Sequence, residues 1–263
     1  MKKTLIILSV LALIVSSCGQ LTKKQAETNE SVDTIHISYD EMPETLVLNE
    51  DSTFTSSIHP KEKLQIGTTY TDTFEYIDLN DEGDDVFIDL KKNDTLFPMI
   101  DNELYGKLND WARGDLYQID WQIDTMRPAG DETQLWVEYF AVKTTKIKDG
   151  NVSLFRKKYT KPLKYTVDDS DGYTNFTLDW IYRNVEYFLA NSKQELIISL
   201  INDPSSDISY SIEEETIKEQ QYIKIGISNE IESHTSVLQW IYLNGIKLYE
   251  YDLANDKLIE FKE

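Results

Sequence analysis

Apolar and polar residues alternate over much of this chain. Between Thr69 and Leu79, Tyr70, Phe74 and Tyr76 share one register with Asp72, between polar partners. Asp84–Leu90 follows an Asn80-Asp81-Glu82-Gly83 turn, and Thr95–Ile100 follows a second polar turn. Asp115–Ile123 alternates through Leu116, Tyr117, Ile119 and Trp121, and Leu135–Ile147 through Leu135, Val137, Tyr139 and Ala141. A period of two bounded by turn residues predicts half-buried strands. Leu104–Trp111, between the third and fourth of them, suits one or two helical turns.

The period changes after residue 166. Phe176, Trp180, Val185 and Phe188 recur near helical spacing, joined by Leu178, Ile181 and Leu189. Thr174–Ala190 is therefore expected as an amphipathic helix, with Phe176, Trp180 and Phe188 packed on a sheet. Lys193–Ile201 fits a second helix or a strand, stopped by Asp203-Pro204. Strands follow at Ile208–Glu214, Gln221–Ser228, Thr235–Leu243, Ile246–Leu253 and Lys257–Phe261. Trp240, in register with Leu238 and Tyr242, reads as structural. A helix followed by an antiparallel meander predicts an α+β layer.

The first 18 residues follow neither pattern. Lys2 and Lys3 precede an apolar run, Leu5 to Val15, broken only by Ser9 and followed by Val15-Ser16-Ser17-Cys18. The run is short of the ~20 residues that span a bilayer and has the flanks of a signal peptide. It resembles a bacterial lipoprotein leader with its lipobox, Val15 standing where Leu is usual. The resemblance implies cleavage after residue 17 and fatty acylation of Cys18, the chain's one cysteine. Neither Asp nor an acidic run follows Cys18, which by the same resemblance points to the periplasmic face of the outer membrane. Residues 18–40 read as a flexible tether, poor in apolar residues and acidic.

Five strands with a helical piece between the third and fourth resemble an OB-type barrel. The last strands are similar in rhythm to small PepSY-like or cystatin-like domains. The chain as a whole resembles two-domain outer-membrane lipoproteins of the Bacteroidota, whose activity is unassigned. The expected fold class is thus mixed: an all-β, OB-like barrel over 41–150, a basic linker or edge segment over 151–165, and an α+β domain over 166–263.

Charge narrows the partners. Of 263 residues, 26 are basic and 47 acidic, a net charge of −21. A surface that coats nucleic acid needs surplus Lys and Arg, so nucleic acid is not an expected partner. One segment departs from this balance. Lys143, Lys146, Lys148, Arg156, Lys157, Lys158, Lys161 and Lys164 cluster with Asp149 as the only acid among them. This strip is expected to dock on the acidic C-terminal domain or to face anionic headgroups; a solvated strand edge is the plainer reading.

Candidate chemistry is sparse. Asp78, Asn80, Glu82 and Asp84 around Gly83, with Asp89 at the twelfth position, approach the spacing of a calcium loop. Without a flanking helix, a solvated turn is the simpler account, as it is for Asp168, Asp169 and Asp171. His36, His59 and His234 are far apart in sequence, His234 being the best single candidate for a general base. Asp120 and Asp124 flank Trp121, and Glu138 neighbours Trp136, a pairing of acid and aromatic found in sugar sites. No nucleophile elbow is present.

The expectation is a non-catalytic envelope lipoprotein that binds a protein, glycan or small ligand, with no cofactor, metal or catalytic residue assigned. The alternatives are an envelope hydrolase using acidic residues or His234, and a structural component of an envelope complex. In its native host, the mature chain should show residues 1–17 removed and acyl mass on Cys18. Intact-mass analysis checks this, and a Cys18→Ala chain should carry no acyl mass.

Overall fold

A computed structural model describes residues 31–32, 53–80, 85–101, 108–127, 135–168, 172–231, 234–245 and 247–262. These fall within one compact body, Ser31–Glu263. The leader, Cys18 and most of the expected tether lie outside the described residues.

A two-strand ribbon, β2 (Thr53–Phe54) and β3 (Leu64–Gln65), precedes the barrel strands β4 (Thr69–Asn80), β5 (Phe87–Lys92), β6 (Thr95–Asp101), β7 (Leu116–Met126) and β8 (Trp136–Lys148). β5 and β6 follow β4 as a meander, while β7 pairs with the other edge of β4 and β8 with β7. Parallel pairing of Ile100 with Phe140 and of Asp101 with Ala141 then closes β6 onto β8. That closure is the OB-like order. The alternation drives it. Tyr117, Ile119, Trp121 and Ile123 of β7 are all buried in the interior, while Gln118, Asp120, Gln122 and Asp124 alternate with them. Register shifts at Leu116/Tyr117 and Asp120/Trp121 bend the β7–β8 pair, as a small barrel requires.

Two segments correct the sequence reading. Ser31–Val32, inside the expected tether, forms strand β1, parallel to Thr95–Leu96 of β6. The segment 151–165, expected as a linker or edge, opens with a helix, α1 (Asn151–Lys158), and its last two residues begin strand β9 (Lys164–Val167). Only β9 matches the edge reading, since it is an outer strand of the second sheet, paired in parallel with Ser209–Ile212. Lysine-rich composition concealed the helix. Its apolar face needs only Val152 and Phe155, which are buried with Tyr159 and Leu163 in the second core.

The second sheet runs β14 (Lys257–Glu260), β13 (Lys247–Asp252), β12 (His234–Asn244), β11 (Gln220–Ile231), β10 (Asp207–Ile217), β9. All its neighbours are antiparallel except β9 and β10. Helices α2 (Asn175–Asn191) and α3 (Glu195–Asn202) pack on one face. Thr174 caps α2, its hydroxyl accepting from the Thr177 amide at 3.1 Å. Ile181, Val185 and Phe188 are fully buried against Ile208, Ile225 and Ile241. Trp180 packs against the same core as expected. Phe176 does not: it lies in the first helical turn and remains 36% exposed.

The barrel meets α1 at a buried carboxylate. Asp115, with no solvent exposure, accepts hydrogen bonds from the Gly150 amide (2.7 Å), the Ser153 hydroxyl (2.9 Å) and the Ala112 amide (3.2 Å). Lys146 reaches the same carboxylate at 2.7 Å. Gly150 must be glycine, because a Cβ there would lie 2.3 Å from the Gly114 carbonyl carbon. Gly114 itself adopts φ +90°, which side-chain-bearing residues rarely hold. Asp115→Ala should destabilise the fold by about 3 kcal/mol, because it leaves the Gly150 and Ala112 amides unpaired and removes one of the two carboxylates that hold Lys146. Gly150→Ala should be at least as damaging; chemical denaturation measures both.

Candidate functional site

A groove of about 490 Å³ opens where α1, the loop after it and α2 meet. Phe155 and Tyr159 form one wall, their rings parallel within 9° and 5.7 Å apart. Pro162 and Leu163 continue that wall, and Tyr182 of α2 lines the groove as well. The ring positions follow from local structure. Phe155 lies on the buried face of α1, and Tyr159 ends the helix, its amide donating to the Phe155 carbonyl at 2.8 Å. The Tyr159 hydroxyl accepts from the Ile208 amide at 2.8 Å, which pins the ring to β10.

Charges hold this frame. Arg156 donates to Glu186 through two nitrogens, at 2.9 and 2.6 Å, and Glu186 is only 3% exposed. Such a bidentate pair fixes direction as well as distance. It lines the groove with a preset acid and base. Burial and Glu186 raise the Tyr182 hydroxyl above the usual tyrosine range, partly offset by Arg156, so it stays neutral at physiological pH. Lys161, also lining, bonds the Ser206 carbonyl (2.8 Å) and Asp207 (2.9 Å). Lys164 bonds Asp207 at 3.2 Å and Glu230 at 2.9 Å. Lys157 pairs with Asp149, and Lys146 with Asp149 as well as Asp115. Five of the eight basic side chains of the strip are thus neutralised by the chain's own acids. Lys161, Lys164 and Arg156 are docked on the C-terminal part, as one sequence reading expected.

The other candidates separate. Asp78 and Asp89 face each other across β4 and β5. Burial, and then Asp78, push the Asp89 carboxyl up to about 6. Asp78 instead lies 3.1 Å from the Arg183 Nε, a contact of charges without an aligned hydrogen bond. Glu82, Gly83 and Asp84 are outside the described residues, as are Asp169, Asp171 and His36; Asp168 is exposed. Among the described residues no group of three or more His, Cys, Asp or Glu could hold a metal. His234 opens β12 opposite Ile231. Trp240 sits on the sheet face away from the helices, lying against Gly226 with the Lys224 ammonium 4.3 Å from its ring centre.

Asp124 and Glu138 are direct cross-strand partners, whereas Asp120 pairs with Lys143 and accepts from the Thr71 hydroxyl at 2.7 Å. Burial raises Glu138. Trp136 is 46% exposed, while Trp121 is fully buried. The sugar-type constellation therefore reduces to Asp124, Glu138 and Trp136.

The sequence offers His59 only as one of three separated histidines, ranked below His234. The His59 Nε2 is 2.8 Å from Asp72 and its Nδ1 3.2 Å from Glu62. Asp72 also accepts from Trp121 Nε1 at 2.9 Å and from Lys92. Burial alone would raise Asp72, but donation by Lys92, His59 and Trp121 outweighs it and holds the carboxyl below its ordinary range. With Phe54, Ile58 and Leu64 buried in the barrel core, this cluster fastens residues 53–66 to the wall. The alternating Tyr70-x-Asp72 register was the available signal, since it places an acid on a face otherwise aromatic.

No protein-family model matches the chain, and no curated protein does. Among solved structures, an aspartyl-tRNA synthetase from Entamoeba histolytica is similar over 64% of this chain, with 15% identity and a TM-score of 0.25. This chain spans 49% of that one. A likeness so weak bears on neither fold nor activity.

The two perturbed aspartates act in opposite directions with pH. Asp72, held low when folded, adds stability above about pH 4 that is lost as pH falls through its lowered pKa. Asp89, held high, costs stability as pH rises from about 4 to about 6. Asp89→Asn should therefore stabilise the protein at pH 7 by about 1–2 kcal/mol after solvent screening. Asp72→Asn should destabilise it at pH 7 and flatten the acid limb. Denaturation midpoints across pH 3–8 check both signs.

Proposed function

We propose that this chain is a lipid-anchored, non-catalytic protein of the cell envelope, held by Cys18 at the periplasmic face of the outer membrane, that binds a glycan or small ligand in the α1–α2 groove. The observation that carries the reading is the groove itself. Its volume falls in the range of roughly 300–1,000 Å³ typical of ligand sites. Its lining combines the aromatic and apolar side chains Phe155, Tyr159, Tyr182, Pro162 and Leu163 with the polar Arg156, Thr160, Lys161 and Glu186. The Arg156–Glu186 pair is already ordered, so little side-chain entropy remains to be lost on binding. The Tyr182 hydroxyl has no hydrogen-bond partner among the described residues, which leaves a donor for a ligand. Tyr182→Ala should weaken a saturable ligand at least about tenfold, or about 1.4 kcal/mol, with an unchanged circular dichroism spectrum. Calorimetric titration with glycans and with the small-molecule fraction of envelope extract measures this. Absence of any saturable heat would oppose ligand binding and favour a structural role.

One observation supports a hydrolase reading in second place. Asp124 and Glu138 sit side by side with exposed Trp136, and the raised Glu138 has the character of a general acid. If the protein cleaves a glycan, Glu138→Gln should reduce turnover at least about hundredfold, the scale of general acid catalysis. Unchanged turnover would remove this pair from the account.

A further inference from the structure

On the other side of α1 from the ligand groove lies a second depression, about 200 Å³, between α1, the end of α2 and α3. Its character is different. Leu154, Ile198, Ile201, Leu189 and Ala190 line it, with Lys158 as the one charged lining residue. Leu154 and Ile198 are 53% and 43% exposed, so two branched aliphatic side chains stand in water. Isolated apolar residues at a surface are ordinary, but here two on different helices border one depression.

The charges around it decide what covers it. Of the eight basic residues in the 143–164 strip, five are paired with the chain's own acids, while Lys143, Lys148 and Lys158 have no ion-pair partner among the described residues. Lys158 lines the depression, and Lys148 lies three residues before Asn151, which also lines it. Lys193, exposed, follows the lining residue Ser192. Against these stand Glu195, exposed at the start of α3, Asp203, exposed at its end two residues after the lining residue Ile201, and Asp149, already held by Lys146 and Lys157. A net-basic rim around exposed aliphatic residues is out of keeping with a chain of net charge −21. That combination matches the interface of an anionic bilayer: aliphatic side chains enter the acyl boundary while ammonium groups meet phosphate. We infer that the α1–α3 face docks on an anionic lipid surface, with Leu154 and Ile198 inserted and Lys158 and Lys148 on the headgroups.

The inference does not depend on the ligand groove or on acylation of Cys18. Where both lipid and face engage, the two contacts reinforce each other, because the first holds the second at high local concentration at the membrane.

The test places a reporter on the face. In a Cys18→Ser full-length chain, Leu154→Cys, Ile198→Cys and Thr68→Cys each carry an environment-sensitive fluorophore; Thr68 lies on the exposed turn before β4. Emission at 154 and 198 should shift to the blue with vesicles of phosphatidylethanolamine and phosphatidylglycerol. It should stay unshifted with phosphatidylcholine vesicles, and the Thr68 reporter should stay unshifted with both. Adding Lys148→Glu and Lys158→Glu should abolish the shift at 198 while the circular dichroism spectrum is retained. No shift at 154 and 198 with anionic vesicles overturns the inference, as does an equal shift at 68 or on neutral vesicles. A shift that grows with protein concentration in the absence of vesicles also overturns it and assigns the face to a second copy of the chain.

Discussion

The Asp115 carboxylate is the constraint on which the arrangement turns. It is sealed from water and saturated by the Gly150 and Ala112 amides, the Ser153 hydroxyl and the Lys146 ammonium. Those groups come from the approach to β7, from β8 and from the start of α1. One buried anion thereby fixes where the barrel ends and where the helix begins. A buried charge of this kind contributes less to net stability than its contacts suggest, because desolvation offsets them. What it enforces is geometry: an alternative path for the chain would leave the anion unpaired. Gly114 and Gly150 serve the same joint, since the backbones approach too closely for any Cβ at 150.

From that joint the basic strip takes its meaning. With α1 launched from Gly150, Arg156 reaches Glu186 on α2, and Arg113 stacks 3.9 Å over Tyr187 on the same helix. Lys161 and Lys164 then clasp the edge of the second sheet through Asp207 and Glu230. A run of charge that reads as a solvated linker is largely an internal fastening. Because most of it is spent, the few lysines left over become informative, and one of them, Lys158, lines the depression bordered by exposed Leu154 and Ile198. The proposed ligand groove and the proposed lipid face therefore flank the same helix, with Phe155 lining both.

Chemistry was harder to place than packing. The Asp72–His59–Trp121 cluster has the residue types of an acid–base site, yet it fastens a ribbon into a barrel. Asp78 and Asp89 have calcium-like spacing, yet in space they form a carboxylate pair with Arg183 beside one member. The sugar-type acids kept only Asp124 and Glu138 together, because Asp120 faces Lys143 across the β7–β8 bulge. In each case residue type was visible and partner was not.

Alternation is a local property, and so the strand runs around Tyr117-Ile119-Trp121-Ile123 and the helical stripe of Ile181, Val185 and Phe188 could be read directly. The order of five strands around a short helical piece was enough for the OB-like barrel, and the leader's apolar run with its lone Cys18 stands on local pattern alone. Helix α1 was missed because its buried face consists of little more than Val152 and Phe155, too few for a periodicity. The groove of Phe155, Tyr159 and Tyr182, and the pairing of Arg156 with Glu186 thirty positions away, were set only when α1 and α2 came together. Side chains announce their own solvent preference in the sequence. Which charge neutralises which, and where a concavity opens, depends on distances that exist only after distant segments have packed.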